Sequence, residues 1–115
     1  MTYEIRRYLT AAGVDTFGVW FNALRDAQAQ ARVRARLDRV ERGLFGDAEP
    51  CGEGVWELRI DWGPGYRVYY ALAGKSLVLL LVGGDKRKQQ ADIKTAKEYW
   101  HDHQERAKRQ GKPPD

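Results

Sequence analysis

Residues 55–72 read Val55-Trp56-Glu57-Leu58-Arg59-Ile60-Asp61-Trp62-Gly63-Pro64-Gly65-Tyr66-Arg67-Val68-Tyr69-Tyr70-Ala71-Leu72, and this stretch decides the fold. Trp56, Leu58 and Ile60 alternate with Glu57, Arg59 and Asp61. Beyond Gly63-Pro64-Gly65, Val68, Tyr70 and Leu72 alternate with Arg67, Tyr69 and Ala71. A period of two is that of strands with one face on a core, and Gly-Pro-Gly is a turn, so the stretch predicts an antiparallel hairpin. Matching the two apolar faces sets Asp61 opposite Arg67 and Arg59 opposite Tyr69, because a one-residue slip would put Leu58 beside the polar set. Glu57, Arg59, Arg67 and Tyr69 then share one polar sheet face.

Downstream, Gly74 turns the chain into Leu77-Val78-Leu79-Leu80-Leu81-Val82. This run has no polar side, as expected of an interior strand covered on both faces. It ends at Gly83-Gly84-Asp85-Lys86, where backbone without side chains can approach a ligand closely. A last helix is predicted from about Gln89 to Arg109, with Ile93, Ala96 and Trp100 inward and Lys94–Glu98, Asp102–Arg106 and Glu105–Arg109 pairs on its outer face. Upstream, Tyr3–Leu9 predicts a first strand and Asp15 an N-cap. Phe17, Trp20, Phe21 and Leu24 form the stripe of a first helix, and Val33, Leu37 and Val40 that of a second from about Ala29 to Arg42. Arg32, Arg36 and Arg39 share another face of the second helix, readable as a solvated face or a ribosomal RNA contact. Asp47–Gly54 reads as a loop. The resulting order is β-α-α-β-β-β-α: an α+β domain, residues 1–109, with a helical hairpin and a C-terminal helix on a mostly antiparallel four-stranded sheet. Residues 110–115, with Pro113-Pro114, are expected to be a disordered tail.

A chain of 115 residues supports one core. Its longest apolar run is far short of the ~20 residues that span a bilayer, and Met1–Arg6 shows no signal-peptide core, so a cytoplasmic protein is expected. One cysteine, Cys51, leaves no internal disulfide framework. His101 and His103 without further ligands predict no metal site, and no cofactor is expected. The net charge is +4, and residues 86–112 hold nine basic against four acidic side chains. A basic C-terminal third suits an anionic partner, most often nucleic acid, or reads as a solvated helix.

Trp56-Glu57-Leu58-Arg59-Ile60-Asp61, Gly63-Pro64-Gly65-Tyr66-Arg67-Val68-Tyr69 and Leu79-Leu80-Leu81-Val82-Gly83-Gly84-Asp85-Lys86, in this element order, resemble a known group. They are similar to the HigB-like "addiction module killer proteins" of the RelE/ParE toxin superfamily, and the resemblance runs from Tyr3 to Trp100. It implies a toxin of a type II toxin–antitoxin module, a ribosome-dependent endoribonuclease that cuts translated mRNA without a metal. It also implies a cognate antitoxin, often a helix-turn-helix DNA-binding protein, through which the complex binds operator DNA. By position, the family's catalytic residues fall on Arg59, Arg67 and Lys86, with Arg87 beside the last. Two positions depart: Glu57 stands where RelE has a second basic residue, and Asp92 near where it has a tyrosine. The group therefore either uses another acid/base set or lacks cleavage.

Metal-free RNA cleavage uses the 2′-hydroxyl as nucleophile and needs a proton acceptor, charge stabilisation at phosphorus and a proton donor. Arg59 and Arg67 suit the charge role, since guanidinium forks phosphate and stays protonated. Glu57 is the candidate base or half of an exposed Glu57–Arg59 pair, Lys86 donates to the leaving oxygen or only binds phosphate, and Asp85 is a second carboxylate or a helix cap. Arg87 and Lys88, at a helix N-terminus, are candidate RNA-binding residues, as are Tyr69 on the sheet face and Trp62, which either stacks on a base or packs. Two other readings stay open: a ParE-like toxin that inhibits DNA gyrase without cutting RNA, and an inactive relative that only binds its antitoxin.

Overall fold

The computed structural model describes residues 1–111; Gln110 and Gly111 form a turn, and the rest of the expected tail, residues 112–115, lies outside the described residues. The elements are β1 (Glu4–Arg7), α1 (Thr16–Ala23), α2 (Ala27–Glu41), β2 (Ala48–Gly52), β3 (Val55–Ile60), β4 (Tyr66–Ala73), β5 (Leu77–Asp85), a 3-10 turn (Lys86–Lys88) and α3 (Gln89–Arg109). They build an α+β domain around a five-stranded sheet of order β1-β5-β4-β3-β2. Only β1 runs parallel to its neighbour, β5; every other pair is antiparallel.

Both sheet faces are covered. Leu58, Ile60, Val68, Tyr70, Val78 and Leu80 meet Phe17 and Phe21 of α1 and Val33 and Val40 of α2. Val55, Tyr69, Ala71, Leu79 and Leu81 meet Ala96 and Trp100 of α3. Asp15 caps α1 as expected, its carboxylate accepting from Gly18 N–H at 2.9 Å, while α2 starts at Ala27, two residues earlier than expected, where Asp26 caps it through Gln28 N–H at 2.9 Å.

Three expectations are corrected. Residues 48–52 are a strand, not part of a loop, so the sheet has five strands rather than four. Ala48-Glu49-Pro50-Cys51-Gly52 shows no alternation and contains a proline, which sheets tolerate at an edge. Arg59 N–H donates to Asp47 O at 2.9 Å, which places the Pro50–Trp56 pair out of the hydrogen-bonded set and turns Pro50 to the open side.

The hairpin register differs by two residues: Arg59 faces Arg67 and Glu57 faces Tyr69. The loop is Asp61–Gly65, with Gly63 and Gly65 at φ 55° and 82°, a conformation other residues resist. An even slip preserves parity, so the four polar residues do share a face, but that face is partly roofed by α3.

β5 also runs on through Gly83 and Gly84 to Asp85. The close approach at these glycines is made by the protein itself. A Cβ at Gly83 would overlap the Trp20 ring of α1, and one at Gly84 would overlap the Asp92 carboxylate of α3. The register shift between Tyr69 and Tyr70 puts consecutive Leu81 and Val82 on the α3 side, a bulge within the apolar run.

Candidate functional site

The Asp61–Gly65 loop and the end of β5 are tied together, Lys86 N–H donating to Gly65 O at 2.9 Å. Between them lies a groove of about 390 Å³, whose walls include Arg59, Arg67, Lys86, Asp47 and Asp61, with Gly63-Pro64-Gly65 as its outer lip. The structure thus gathers three of the four expected catalytic side chains, from β3, β4 and the turn after β5.

Their electrostatics differ. Arg59 and Arg67 stand directly opposite on neighbouring strands, where like charges repel. Carboxylates around Arg59 offset this: its guanidinium reaches Asp47 Oδ1, just before β2, at 2.8 Å, Glu49 Oε1 of β2 at 3.2 Å and Glu57 Oε1 of β3 at 4.0 Å. Hydrogen bonding from Arg59 holds the Asp47 carboxyl below its usual range and raises the Arg59 value in turn. Arg67 and Lys86 have no carboxylate within 4.0 Å among the described residues. Arg67 spends one N–H on Tyr66 O at 3.2 Å, and its buried Nε has no partner. These are the groove's two uncompensated cations, the arrangement a phosphate selects.

Glu57 and Tyr69 are not on an open surface, contrary to expectation. Glu57 is 4% exposed and accepts two hydrogen bonds from Gln89 Nε2 of α3, at 2.9 and 3.1 Å. Tyr69 is fully buried under the same helix with its hydroxyl unpartnered, and burial pushes its phenol up, helped by the Glu57 charge. Neither touches the groove, because α3 packs on the sheet where the alternating pattern alone predicted solvent. The carboxylates that do face the groove are Asp47 and Asp61, which the sequence did not single out. Asp47 belonged to an unrecognised strand approach and Asp61 was placed within the hairpin.

The other expected residues are accounted for individually. Asp85 is a cap: its carboxylate accepts from Arg87 N–H at 2.9 Å and from the Arg87 guanidinium at 2.8 Å, which keeps its carboxyl low. Arg87 is therefore folded back on Asp85, while Lys88 is exposed with no carboxylate partner among the described residues. Trp62 is half-buried, its Nε1–H donates to Asp26 Oδ2 at 3.2 Å, and the Arg32 guanidinium sits 4.0 Å above its ring. One indole face is thus occupied by α2, and the residue pins the hairpin loop to that helix. Among the described residues, no group of His, Cys, Asp and Glu is arranged to hold a metal ion, and no helix is long and apolar enough to cross a membrane.

The family described as phage-derived protein Gp49-like (DUF891) has a model that matches residues 19–106, from α1 almost to the end of α3. The chain is also similar to an uncharacterized protein of Haemophilus influenzae, 44% identical over 97 residues, which cover 84% of this chain and 92% of the relative.

Proposed function

This chain belongs to the phage-derived Gp49-like family, a family associated with toxin–antitoxin modules, and on that premise we propose that it is a toxin that cleaves translated mRNA. The observation that carries the reading is the pair of uncompensated cations, Arg67 and Lys86, in a groove open to a chain of phosphates. In this reading Arg67 and Lys86 bind the scissile phosphate and neutralise the charge that grows on it. The 2′-hydroxyl gives its proton to a groove carboxylate, Asp61 or Asp47, and its oxygen attacks phosphorus. The bond to the 5′-oxygen breaks, Lys86 supplies that oxygen's proton, and a 2′,3′-cyclic phosphate remains. Arg59, shared among three carboxylates, holds β2 against β3 and meets phosphate only as those partners yield.

The same reading expects a cognate antitoxin encoded beside the toxin, a helix-turn-helix protein that carries the complex to operator DNA, and a cytoplasmic site of action on the ribosome. Primer extension on a message under translation in a purified bacterial extract tests it. Cuts inside the reading frame that need both this protein and ribosomes support it. The roofing of Glu57 and Tyr69 by α3 favours a second reading, a growth-arresting protein that binds DNA gyrase without cutting RNA. Intact message together with inhibited supercoiling would establish that one.

A further inference from the structure

A second groove, of about 320 Å³, runs beside the first along α2, and Asp47 and Asp61 belong to the walls of both. Its cations are Arg32, Arg36 and Arg39. Taken together the two grooves present six basic and two acidic side chains. None of Arg32, Arg36 and Arg39 has a carboxylate within 4.0 Å among the described residues, although Asp38 and Glu41 lie on the same helix.

Arg36 spends its donors on backbone instead: on Arg59 O, on Phe45 O at 2.9 Å and on Asp47 O at 3.4 Å. It lines the α2 groove and ties α2 to the backbone of Arg59 and Asp47, with no carboxylate within 4.0 Å of its own charge among the described residues. Arg32 is held over Trp62, whose Nε1–H bond to Asp26 keeps the hairpin loop against the start of α2. Arg39 is exposed. Arg32 and Arg39, seven positions apart, stand about 10 Å from each other along the helix. The two grooves therefore adjoin across Asp47 and Asp61, with Trp62 holding the hairpin loop against α2 and Arg36 holding the backbone around Arg59 and Asp47.

We propose that the α2 groove is a second phosphate-binding subsite, in which Arg32 and Arg39 hold the backbone of the same single-stranded RNA that enters the hairpin groove. The inference rests on the RNA reading above and extends it, because binding would be shared between a reaction groove and a flanking track. Contacts of this kind are sequence-independent and salt-dependent.

The test compares 2′-O-methyl oligouridylates of four and twelve nucleotides, which resist cleavage, by fluorescence anisotropy over a range of salt. The protein is wild type, Arg32→Gln/Arg39→Gln or Arg32→Lys/Arg39→Lys, with circular dichroism as the check on folding. Each phosphate contact on a single strand adds about 0.7 to the slope of log affinity against log salt. Loss of two contacts lowers the 12-mer slope by about 1.4, which is roughly 25-fold in affinity at 0.1 M salt. The tetranucleotide, too short to leave the hairpin groove, keeps its affinity, and the lysine pair restores the slope.

An unchanged 12-mer slope, or equal losses at both lengths, overturns the inference. Two competition results also overturn it: a poly-glutamate peptide, or a duplex RNA hairpin, that needs Arg32 and Arg39 while the 12-mer does not. Tight, length-dependent binding without cleavage of translated message would keep the subsite and refute the nuclease reading. Absence of 12-mer binding by the wild type refutes the subsite, while the nuclease reading is decided separately by ribosome-dependent cuts in translated message.

Discussion

Gly83→Ala and Gly84→Ala place the same methyl group on adjacent residues of one strand, on opposite faces, against different helices. At Gly83 the new carbon overlaps Cε3, Cδ2 and Cζ3 of Trp20, a rigid ring packed beside Phe17 and Tyr66 that cannot turn aside. At Gly84 the overlap is with the end of Asp92: Cγ would be 2.9 Å away, whereas Cβ, at 3.7 Å, is already at ordinary contact distance. Overpacking costs about 1–3 kcal/mol, against which alanine recovers about 0.5–1 kcal/mol of the chain freedom glycine loses in a strand. With overpacking at the top of its range, Gly83→Ala costs about 2–2.5 kcal/mol net, and Gly84→Ala about 1 kcal/mol. Urea unfolding at pH 7 reads both. Adding Asp92→Ala to Gly84→Ala removes the overlapping atoms and should restore most of the loss, while leaving Gly83→Ala uncorrected. Equal costs for the two glycines, or no rescue by Asp92→Ala, would refute the layering of α1 and α3 on β5.

Asp92 also makes a pH prediction. Burial raises its carboxyl above the ordinary value, so the folded state binds that proton more tightly than the unfolded chain. The stabilisation is complete below an unfolded value of about 3.9 and fades as pH rises through the folded one, so Asp92→Asn should flatten this part of the urea-midpoint profile. Tyr8 behaves alike at the alkaline end: burial, and then its 2.6 Å bond to Asp102, push the phenol up to about 12. Stability from Tyr8 is complete below about 10 and lost as pH climbs toward the folded value, a loss that Tyr8→Phe removes. Trp100→Ala empties the α3 side of the core and should cost about 3–5 kcal/mol by the same urea assay. Glu57→Gln should leave any RNA cleavage within about twofold of wild type, whereas a true general base would lose about 10²–10⁴.

The hairpin, the apolar β5 and α3 were legible because each has a clean period, and the bounds of α3 agree with those read from Ile93, Ala96 and Trp100. β2 was not legible, since an edge strand containing Pro50 and Gly52 buries too little to leave a pattern. The register was set by matching apolar faces, which distinguishes odd slips from even ones but cannot tell Arg59–Tyr69 from Glu57–Tyr69 pairing. The same limit concealed the roof over Glu57 and Tyr69: alternation marks one face polar, and only Trp100 and Ala96 of a distant helix decide how much of it is covered. Arg59, Arg67 and Lys86 were found through the motifs around the Gly-Pro-Gly turn and the end of β5. Asp47 carried no signal beyond being acidic in an expected loop, and Asp61 was read as a strand residue opposite Arg67 rather than as a wall of the groove.

The central claim is that the groove of Arg67 and Lys86 cuts RNA. Its most direct test is primer extension on a translated message with wild type, Arg67→Ala and Lys86→Ala proteins, each shown to be folded by circular dichroism. The account predicts ribosome-dependent cuts by the wild type, lowered about 10²–10³-fold in rate by Arg67→Ala, as for loss of one charge-stabilising donor. A folded Arg67→Ala protein that cuts as the wild type does, or a wild type that leaves the message whole, would contradict it.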